Sequence, residues 1–147
     1  MADIVDSSTR SRWMSGIRGK DTRPELVVRR YLHSIGFRYR LHVRHLPGCP
    51  DIVLTKHRTC IFVHGCYWHR HAGCKYATTP ATRRDFWLAK LEANAQRDMR
   101  VAAGLVEAGW RVIELWECGL RGSGEPLDWL GPEIAEGSAQ FLSWPPT

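Results

Sequence analysis

Asp51, His64 and His69 are the residues whose types and spacing could support hydrolysis of a charged substrate. Asp51 precedes one strand-like run, and His64 follows a second one. The short segment between these runs predicts a hairpin. If its loop is centred near His57, Asp51 lies opposite Val63, because the two positions are equally far from the centre. A carboxylate, a strand-end carbonyl and an imidazole would then meet at one end of a sheet.

Oxygen ligands of this kind suit Mg²⁺, which takes one or two protein carboxylates and keeps most of its waters. Phosphodiester hydrolysis needs a metal to stabilise charge and a base to activate water, and His69 could be that base. A plainer interpretation makes Asp51 a turn carboxylate after proline and each histidine a surface or metal-bound side chain. Glu25 completes the capping box Thr22-Arg23-Pro24-Glu25. Helix capping alone is enough to explain why a glutamate stands at this position.

Cys66, His71 and Cys74 form a C-x4-H-x2-C pattern in an irregular segment, and Cys118 follows the last predicted strand. Structural Zn²⁺ takes four nitrogen and sulfur ligands of this kind in tetrahedral geometry. The alternative is three buried thiols and a surface histidine. Zinc is favoured because a loop so poor in aliphatic residues cannot bury a core of its own and needs a bound metal to stabilise its fold. Cys60 lies inside a strand-like run and is expected to be a small buried hydrophobe.

The elements that position these residues predict an α/β fold. In order, they are a helix from Thr22 to about Gly36, a strand over 37–44, the hairpin over 51–63, a helix from Thr82 to Gly109 with a break near Arg97, and a strand over 110–116. The second helix starts on a sequence that resembles a capping box. This order predicts a mixed central sheet flanked by helices. Residues 123–147 form a tail to which no role is assigned.

The length and charge of the chain limit its class. At 147 residues it can bury one ordinary core, so a single domain over 1–147 is expected. Residues 1–60 carry 12 Lys and Arg against 5 Asp and Glu, a net +7, whereas 61–147 carry 9 against 10, a net −1. Polyanion binding requires such a basic region, although a solvated basic surface would explain the charge alone.

Residues 1–20 form a basic arm, with Arg10, Arg12 and Lys20, of a kind that often becomes ordered on a partner. No apolar run reaches the length needed to span a bilayer, and the first residues lack a secretion signal. We therefore expect a soluble protein of the cytoplasm.

Two aromatic pairs lack an obvious place in the core. Tyr67 and Trp68 lie in the polar Cys/His loop, and Phe86 and Trp87 lie beside two arginines at a helix start. Large aromatic side chains near basic residues can wedge between bases or stack on them. Packing on the loop is the alternative, and it is preferred for Phe86.

These features together resemble the very short patch repair (Vsr) endonucleases. The resemblance is carried by Pro50-Asp51, by Phe62-Val63-His64-Gly65-Cys66-Tyr67-Trp68-His69, by Pro80-Ala81-Thr82-Arg83 with Phe86-Trp87, by Gly109-Trp110-Arg111-Val112 and by Trp116-Glu117-Cys118. It also includes residues 11–25 and covers roughly 6–122. The block from His64 to His69 is highly specific to the family, and the tail lies outside the resemblance.

The resemblance implies a restriction-endonuclease-like fold that nicks one strand of duplex DNA 5′ to the thymine of a T:G mismatch. Such mismatches arise when 5-methylcytosine deaminates. It implies Mg²⁺ at Asp51 and the backbone carbonyl of Val63, with His69 as general base and His64 and Glu25 assisting. It also implies zinc at Cys66, His71, Cys74 and Cys118, and base-step intercalation by Tyr67, Trp68 and Trp87. The N-terminal arm would embrace the minor groove.

The sequence departs from the family pattern at three places. Val63 stands where the family usually has threonine, a change that does not affect a ligand supplied by the backbone carbonyl. Tyr67 stands where the family usually has phenylalanine. Arg70 and one extra residue lengthen the spacing before Cys74. The family further implies a cognate cytosine-5 methyltransferase and mismatch-repair proteins as partners, and a monomer is expected.

Two other functions would also use these sequence features. One is a restriction endonuclease acting on paired DNA, which the aromatic wedge disfavours because a mispaired step is cheaper to open. The other is a zinc-stapled DNA-binding module without catalysis. Asp51 and His69 argue against that module, since a pure binder has no use for a metal-binding carboxylate together with a free imidazole.

Overall fold

The computed structural model of the chain describes residues 22–121 and 127–145. Its helices are α1 (Arg23–Ser34), α2 (Arg84–Glu107), α3 (Glu117–Leu120) and α4 (Leu130–Glu136). Its strands are β1 (Arg40–Leu41), β2 (Ile52–Leu54), β3 (Thr59–His64), β4 (Arg111–Trp116) and β5 (Phe141–Trp144). A 3₁₀ turn, Thr55–His57, joins β2 to β3.

The five strands form one mixed sheet in the order β1-β2-β3-β4-β5. The first three strands pair antiparallel, and β3, β4 and β5 pair parallel. Helix α2 makes the crossover from β3 to β4, as a parallel connection requires. The predicted mixed sheet flanked by helices is therefore confirmed.

Apolar side chains cover both faces of this sheet, because successive residues of a strand point to opposite sides. One face, including Ile52, Ile61 and Ile113, packs against α1 and α4. The other face, here called the α2 face, packs Val53, Cys60 and Val112 against Ala102 and Leu105 of α2. By the same alternation Asp51, Phe62 and His64 belong to the α2 face.

Helix α1 begins as the sequence predicts. The hydroxyl oxygen of Thr22 accepts a hydrogen bond from the Glu25 amide at 3.4 Å, and the Glu25 carboxylate accepts one from the Thr22 amide at 3.2 Å. Val28 and Leu32 lie on the same side of the helix as Glu25 and are fully buried. The capping box thus fixes the Glu25 carboxylate at the edge of the sheet.

Helix α2 differs from its prediction in two respects. It runs unbroken over 24 residues, so the predicted break near Arg97 is wrong, and its start has no side-chain cap. Instead Arg83 adopts a left-handed conformation, φ 53°, and its guanidinium stacks over Phe86 at 4.2 Å. The helix stays continuous because Leu91 and Leu105 keep one side of it buried along its length.

The first strand and the hairpin register also need correction. The strand predicted over 37–44 is reduced to Arg40–Leu41, because His42 turns the chain with a left-handed φ of 49°. Ile52 pairs with Ile61, so the turn is centred between Lys56 and His57, and continuing this register sets Asp51 opposite Phe62 rather than Val63. The predicted pairing is wrong by one residue.

The tail contributes more structure than its composition suggested. Leu127, Leu130 and Ile134 complete the core under α1, and β5 adds a fifth strand beside β4. Arg111 fastens this addition through an ion pair with Glu133 at 2.7 Å. Within 22–121 and 127–145, no helix is both long and apolar enough to cross a membrane.

Candidate active site

A cavity of about 1240 Å³ opens on the α2 face, where β2 begins and β3 and β4 end. Its lining includes the predicted site residues Glu25, Asp51, His64 and His69, with Val63 beside them. Their elements differ: Glu25 comes from the first turn of α1, Asp51 precedes β2, and His64 ends β3. The sheet thus collects into one cavity residues that lie far apart in the chain.

Asp51 is held at the wall of this cavity by its backbone neighbour. Its Oδ2 accepts a hydrogen bond from the Val63 amide at 2.8 Å. The contact predicted between Asp51 and Val63 is therefore present despite the register shift. Burial raises the pKa of Asp51 to about 7, although the bond from Val63 lowers it, and the nearby Glu25 carboxylate raises it further.

The donor set around Asp51 fits a divalent cation. Single ligand atoms of Glu25, His42 and Asp51 all lie within 4.8 Å of one another. Two carboxylates in partial burial repel each other, and a cation between them relieves both that repulsion and the cost of burial. Arg29 contacts Glu25 at 3.4 Å and His42 Nε2 at 3.1 Å, so this group is also tied to α1.

His64 and His69 lie face to face in the cavity. Their ring centroids are 4.1 Å apart, with an interplanar angle of 23°. His64 is almost fully buried, whereas the His69 side chain keeps 27% of its surface exposed. Both imidazoles line the cavity, and His69 is the more accessible of the two to solvent and substrate.

Asp98 of α2 fixes the orientation of the His69 ring. Its Oδ2 lies 2.5 Å from His69 Nδ1. An ionised carboxylate only accepts hydrogen bonds, so Nδ1 carries the proton and Nε2 of the neutral ring keeps its lone pair. An imidazole oriented in this way by a carboxylate is equipped to act as a general base.

We expect Asp98→Ala to lower kcat for the hydrolysis that His69 would catalyse by about 10²-fold, since the imidazole loses its tautomer and orientation, while KM stays unchanged. Single-turnover kinetics at saturating enzyme measure the effect. Glu92→Ala, an exposed carboxylate on the same helix, serves as the matched control. Equal rates for the two variants would show that Asp98 does not serve the base.

The four predicted zinc ligands lie close to one another in the fold. Single ligand atoms of Cys66, His71, Cys74 and Cys118 lie within 4.8 Å of one another, and Cys118 Sγ is 3.5 Å from His71 Nδ1. A tetrahedron with Zn–S near 2.3 Å and Zn–N near 2.0 Å has an edge of about 3.6 Å. The donor set and its spacing fit zinc, and the extra residue before Cys74 does not displace that ligand.

The four residues of this cluster differ in the direction of their pKa shifts. Burial raises the pKa of Cys66 and of Cys118 and lowers the pKa of His71. Burial also acts to raise the pKa of Cys74, but hydrogen bonds from the Tyr76 backbone and from the Cys66 side chain outweigh it and lower that pKa. A bound cation would favour the thiolate form of all three cysteines. Cys60 lies outside the cluster, fully buried, with its pKa raised by burial to about 12, as expected for a small hydrophobe.

The three residues predicted to intercalate, Tyr67, Trp68 and Trp87, form a cluster of aromatic rings beside the cavity. Trp68 makes edge contacts with Tyr67 at 5.0 Å and with Trp87 at 6.4 Å between ring centroids. Trp68 is only 7% exposed, while Phe86 is 48% exposed. The predicted DNA contacts Arg10, Arg12 and Lys20 lie outside the described residues.

Three residues of the site were missed by sequence reasoning: His42, Asp98 and Glu114. Asp98 shares a side of α2 with Asn94, which donates a hydrogen bond to the Trp68 carbonyl at 3.3 Å, and their spacing of four residues was the available signal. Glu114 is the only charge between Val112 and Trp116, on the face of β4 that the alternation assigns to the cavity. His42 gave no signal beyond its place in a basic alternation.

A carboxylate pair, Glu25 and Asp51, and an imidazole oriented by Asp98 lie in one cavity, an arrangement that fits a hydrolase. Residues 2–75 match the family described as DNA mismatch endonuclease Vsr. Together with the relatives below, this match shows that the chain belongs to the DNA mismatch endonuclease Vsr family, and it is accordingly a DNA endonuclease.

Three relatives are similar over most of the chain. The type II nicking enzyme V.XorIIP of Xanthomonas oryzae pv. oryzae is 49% identical over 120 residues, which cover 82% of this chain and 88% of the relative. The DNA mismatch endonuclease Vsr of Escherichia coli is 45% identical over 122 residues, or 83% and 78%. The type II nicking enzyme V.NmeAIP of Neisseria meningitidis is 43% identical over 121 residues, or 82% and 86%.

Proposed function

We propose that this endonuclease nicks one strand of duplex DNA 5′ to the thymine of a T:G mismatch, in a reaction that depends on Mg²⁺. The observation that carries the proposal is the convergence of Asp51 and the Asp98-oriented His69 on one cavity. The names of the relatives, a mismatch endonuclease and two nicking enzymes, support both the mismatch and the single-strand cut.

Asp51 and the carbonyl of Val63 would hold Mg²⁺, because the Val63 amide already fixes Asp51 Oδ2. When bound, the ion supplies positive charge that stabilises the phosphate during displacement. His69 Nε2, with its lone pair, accepts the proton of the attacking water. Glu25 and His64 line the same cavity, where they orient waters or the phosphate.

The charge distribution in the cavity suits a DNA backbone. Its buried polar residues are the carboxylates Glu25 and Glu114 and the imidazole of His64, whereas Arg44, Lys90 and Arg97 are exposed at its rim. Exposed cations attract phosphates and release their counterions, while the carboxylates beneath select for a metal ion. The backbone can thus be bound at the rim and hydrolysed at the floor.

The aromatic cluster accounts for mismatch selection. Tyr67, Trp68 and Trp87 would enter the base step beside the mismatch, which costs less to open than a matched step. Trp68 is buried in the free protein, so its insertion requires movement away from Trp87. Residues 1–20, with Arg10, Arg12 and Lys20, would follow the minor groove.

A labelled duplex carrying T:G, beside its T:A counterpart, tests the proposal in the presence of Mg²⁺. We expect one strand of the T:G duplex to be cut at least about 100-fold faster, because a mispaired step is cheaper to open by a few kcal/mol. Equal cutting of both duplexes would instead support a restriction-type enzyme. Binding without cutting would support a DNA-binding module stapled by zinc.

We propose that the chain is a single domain of the restriction-endonuclease-like fold, that it acts as a monomer, and that Zn²⁺ is the metal at the Cys/His cluster. A cognate cytosine-5 methyltransferase and mismatch-repair proteins are its proposed partners. We place its activity in the cytoplasm, where bacterial DNA lies.

A further inference from the structure

Glu114 is a buried carboxylate in the centre of the sheet to which the proposed mechanism gives no role. It is 9% exposed, and it lies on β4 between Ile113 and Leu115, which point into the opposite core. Burying a carboxylate on a central strand is costly unless a partner compensates for the lost water. An apolar residue would fill this position at lower cost, so the carboxylate calls for a function.

The partner of Glu114 is His64. Glu114 Oε2 lies 3.4 Å from His64 Nε2, and His64 is 4% exposed. The parallel register creates this contact: Phe62 pairs with Glu114 and His64 with Trp116, so the two side chains share the α2 face as diagonal neighbours. Among the described residues, 22–121 and 127–145, His64 is the one basic side chain in close contact with the Glu114 carboxylate.

The other neighbours of His64 do not compete for its Nε2. Its ring stacks on His69 at 4.1 Å and lies 5.0 Å from Trp116 and 5.7 Å from Phe62, all distances between centroids. These are contacts of ring faces and not of ring nitrogens. Glu114 is therefore the polar group that lies closest to Nε2, where it could orient the ring within its plane.

We propose that Glu114 is a positioning residue that holds His64 Nε2–H and so presents His64 Nδ1 as a hydrogen-bond acceptor to the cavity. The proposal rests on the nuclease function proposed above and deepens it. The two stacked rings are then held by different carboxylates at different nitrogens: Glu114 at Nε2 of His64, and Asp98 at Nδ1 of His69. Each neutral ring offers one lone pair, so the site can order two waters, or one water and a hydroxyl.

Glu114→Leu removes the carboxylate and keeps an apolar side chain of similar volume. We expect kcat for T:G nicking to fall roughly 10–100-fold, as for other residues that orient a functional histidine, with KM unchanged. The melting temperature should stay the same or rise, because a buried charge is lost. Glu114→Gln retains an acceptor oxygen and should recover most of the rate.

Ile113→Val provides the matched control, since it changes the adjacent residue on the opposite face of the same strand. It should lower the melting temperature and leave kcat unchanged. In a double-mutant cycle, Glu114→Leu should have no further effect once His64 is replaced by alanine. Additive losses would overturn the proposal, because Glu114 would then act on something other than His64.

The tautomer of His64 gives a readout that does not depend on cleavage. In the ¹⁵N spectrum of the full chain without DNA, His64 should be protonated at Nε2, and Glu114→Leu should convert it to a mixture of tautomers. An unchanged spectrum would overturn the proposal. If the chain did not discriminate T:G from T:A, the function proposed above would fail while this spectral test of Glu114 still stood.

Discussion

Asp51→Asn should abolish nicking of a T:G duplex, with a loss of at least about 10³-fold in the single-turnover rate. A metal ion contributes several kcal/mol of charge stabilisation, and each 1.4 kcal/mol is about a factor of ten in rate. Asparagine still accepts the hydrogen bond from the Val63 amide, which Asp51 accepts at 2.8 Å. The substitution therefore removes the charge while preserving the shape of the site.

The matched control is Asp85→Asn, which makes the same change in net charge at an exposed position on α2. Its rate should equal that of the unaltered enzyme. Mg²⁺ titrations followed by calorimetry should show binding to the control and none to Asp51→Asn. A loss of less than tenfold in the Asp51 variant would contradict the assignment of Asp51 as the metal-binding carboxylate.

The same substitution should have the opposite effect on stability. The pKa of Asp51 rises on folding from 3.8 to about 7, so its contribution to stability is full below pH 3.8 and is lost as the pH rises through 7. At pH 8 without metal, Asp51→Asn should therefore melt at a higher temperature, by roughly 2–4 °C for each kcal/mol recovered. The difference should vanish near pH 4, and Mg²⁺ should abolish it at pH 8 by stabilising only the unaltered chain.

Sequence reasoning predicted the contacts that form within one local element, such as a hairpin or the first turn of a helix. The contact between Asp51 and Val63 was predicted from the hairpin even though the register was off by one, because a carboxylate side chain reaches further than one residue step. The capping box of α1 was predicted because its two partners, Thr22 and Glu25, lie three residues apart. Local patterns of this kind depend little on the rest of the fold.

The carboxylates that contact His64 and His69 were not predicted, because their contacts depend on the packing of distant elements. Asp98 meets His69 only once α2 lies across the sheet, 29 residues along the chain, and Glu114 meets His64 only through the parallel register. Helix α4 and strand β5 were missed because glycine, proline and serine obscured their short apolar runs. The sequence thus predicted residues that the cavity brings together, and it missed the carboxylates that contact them.

The Cys/His cluster bears on the proposed catalysis because three residues with proposed roles lie between Cys66 and His71. Tyr67, Trp68 and His69 span the interval from Cys66 to His71, and the His71 amide donates to the Cys66 carbonyl at 3.0 Å. His71 also stacks on Trp116 at 4.2 Å with an interplanar angle of 8°. A metal ion that fixes Cys66 and His71 would therefore also fix the proposed general base, His69, and the proposed intercalating residues, Tyr67 and Trp68.

Removal of zinc should unfold this region and abolish nicking. Structural zinc contributes on the order of 10 kcal/mol in small domains, which is comparable to the whole stability of a protein of this size. A loss of even several kcal/mol should lower the melting temperature by about 10 °C or more, at roughly 2–4 °C per kcal/mol. We expect one zinc per chain by mass spectrometry, and inactivation by a zinc chelator in the presence of excess Mg²⁺.

Cys74→Ser should reproduce the effect of the chelator, because it deletes one ligand on the partly exposed side of the cluster. Cys49→Ser is the matched control: it replaces an exposed cysteine outside the cluster and should retain zinc, melting temperature and activity. A purified enzyme that nicks DNA with almost no bound zinc would contradict the assignment. Full activity of Cys74→Ser with zinc still bound would exclude Cys74 as a ligand and leave three donors, the arrangement of a zinc site with an open position.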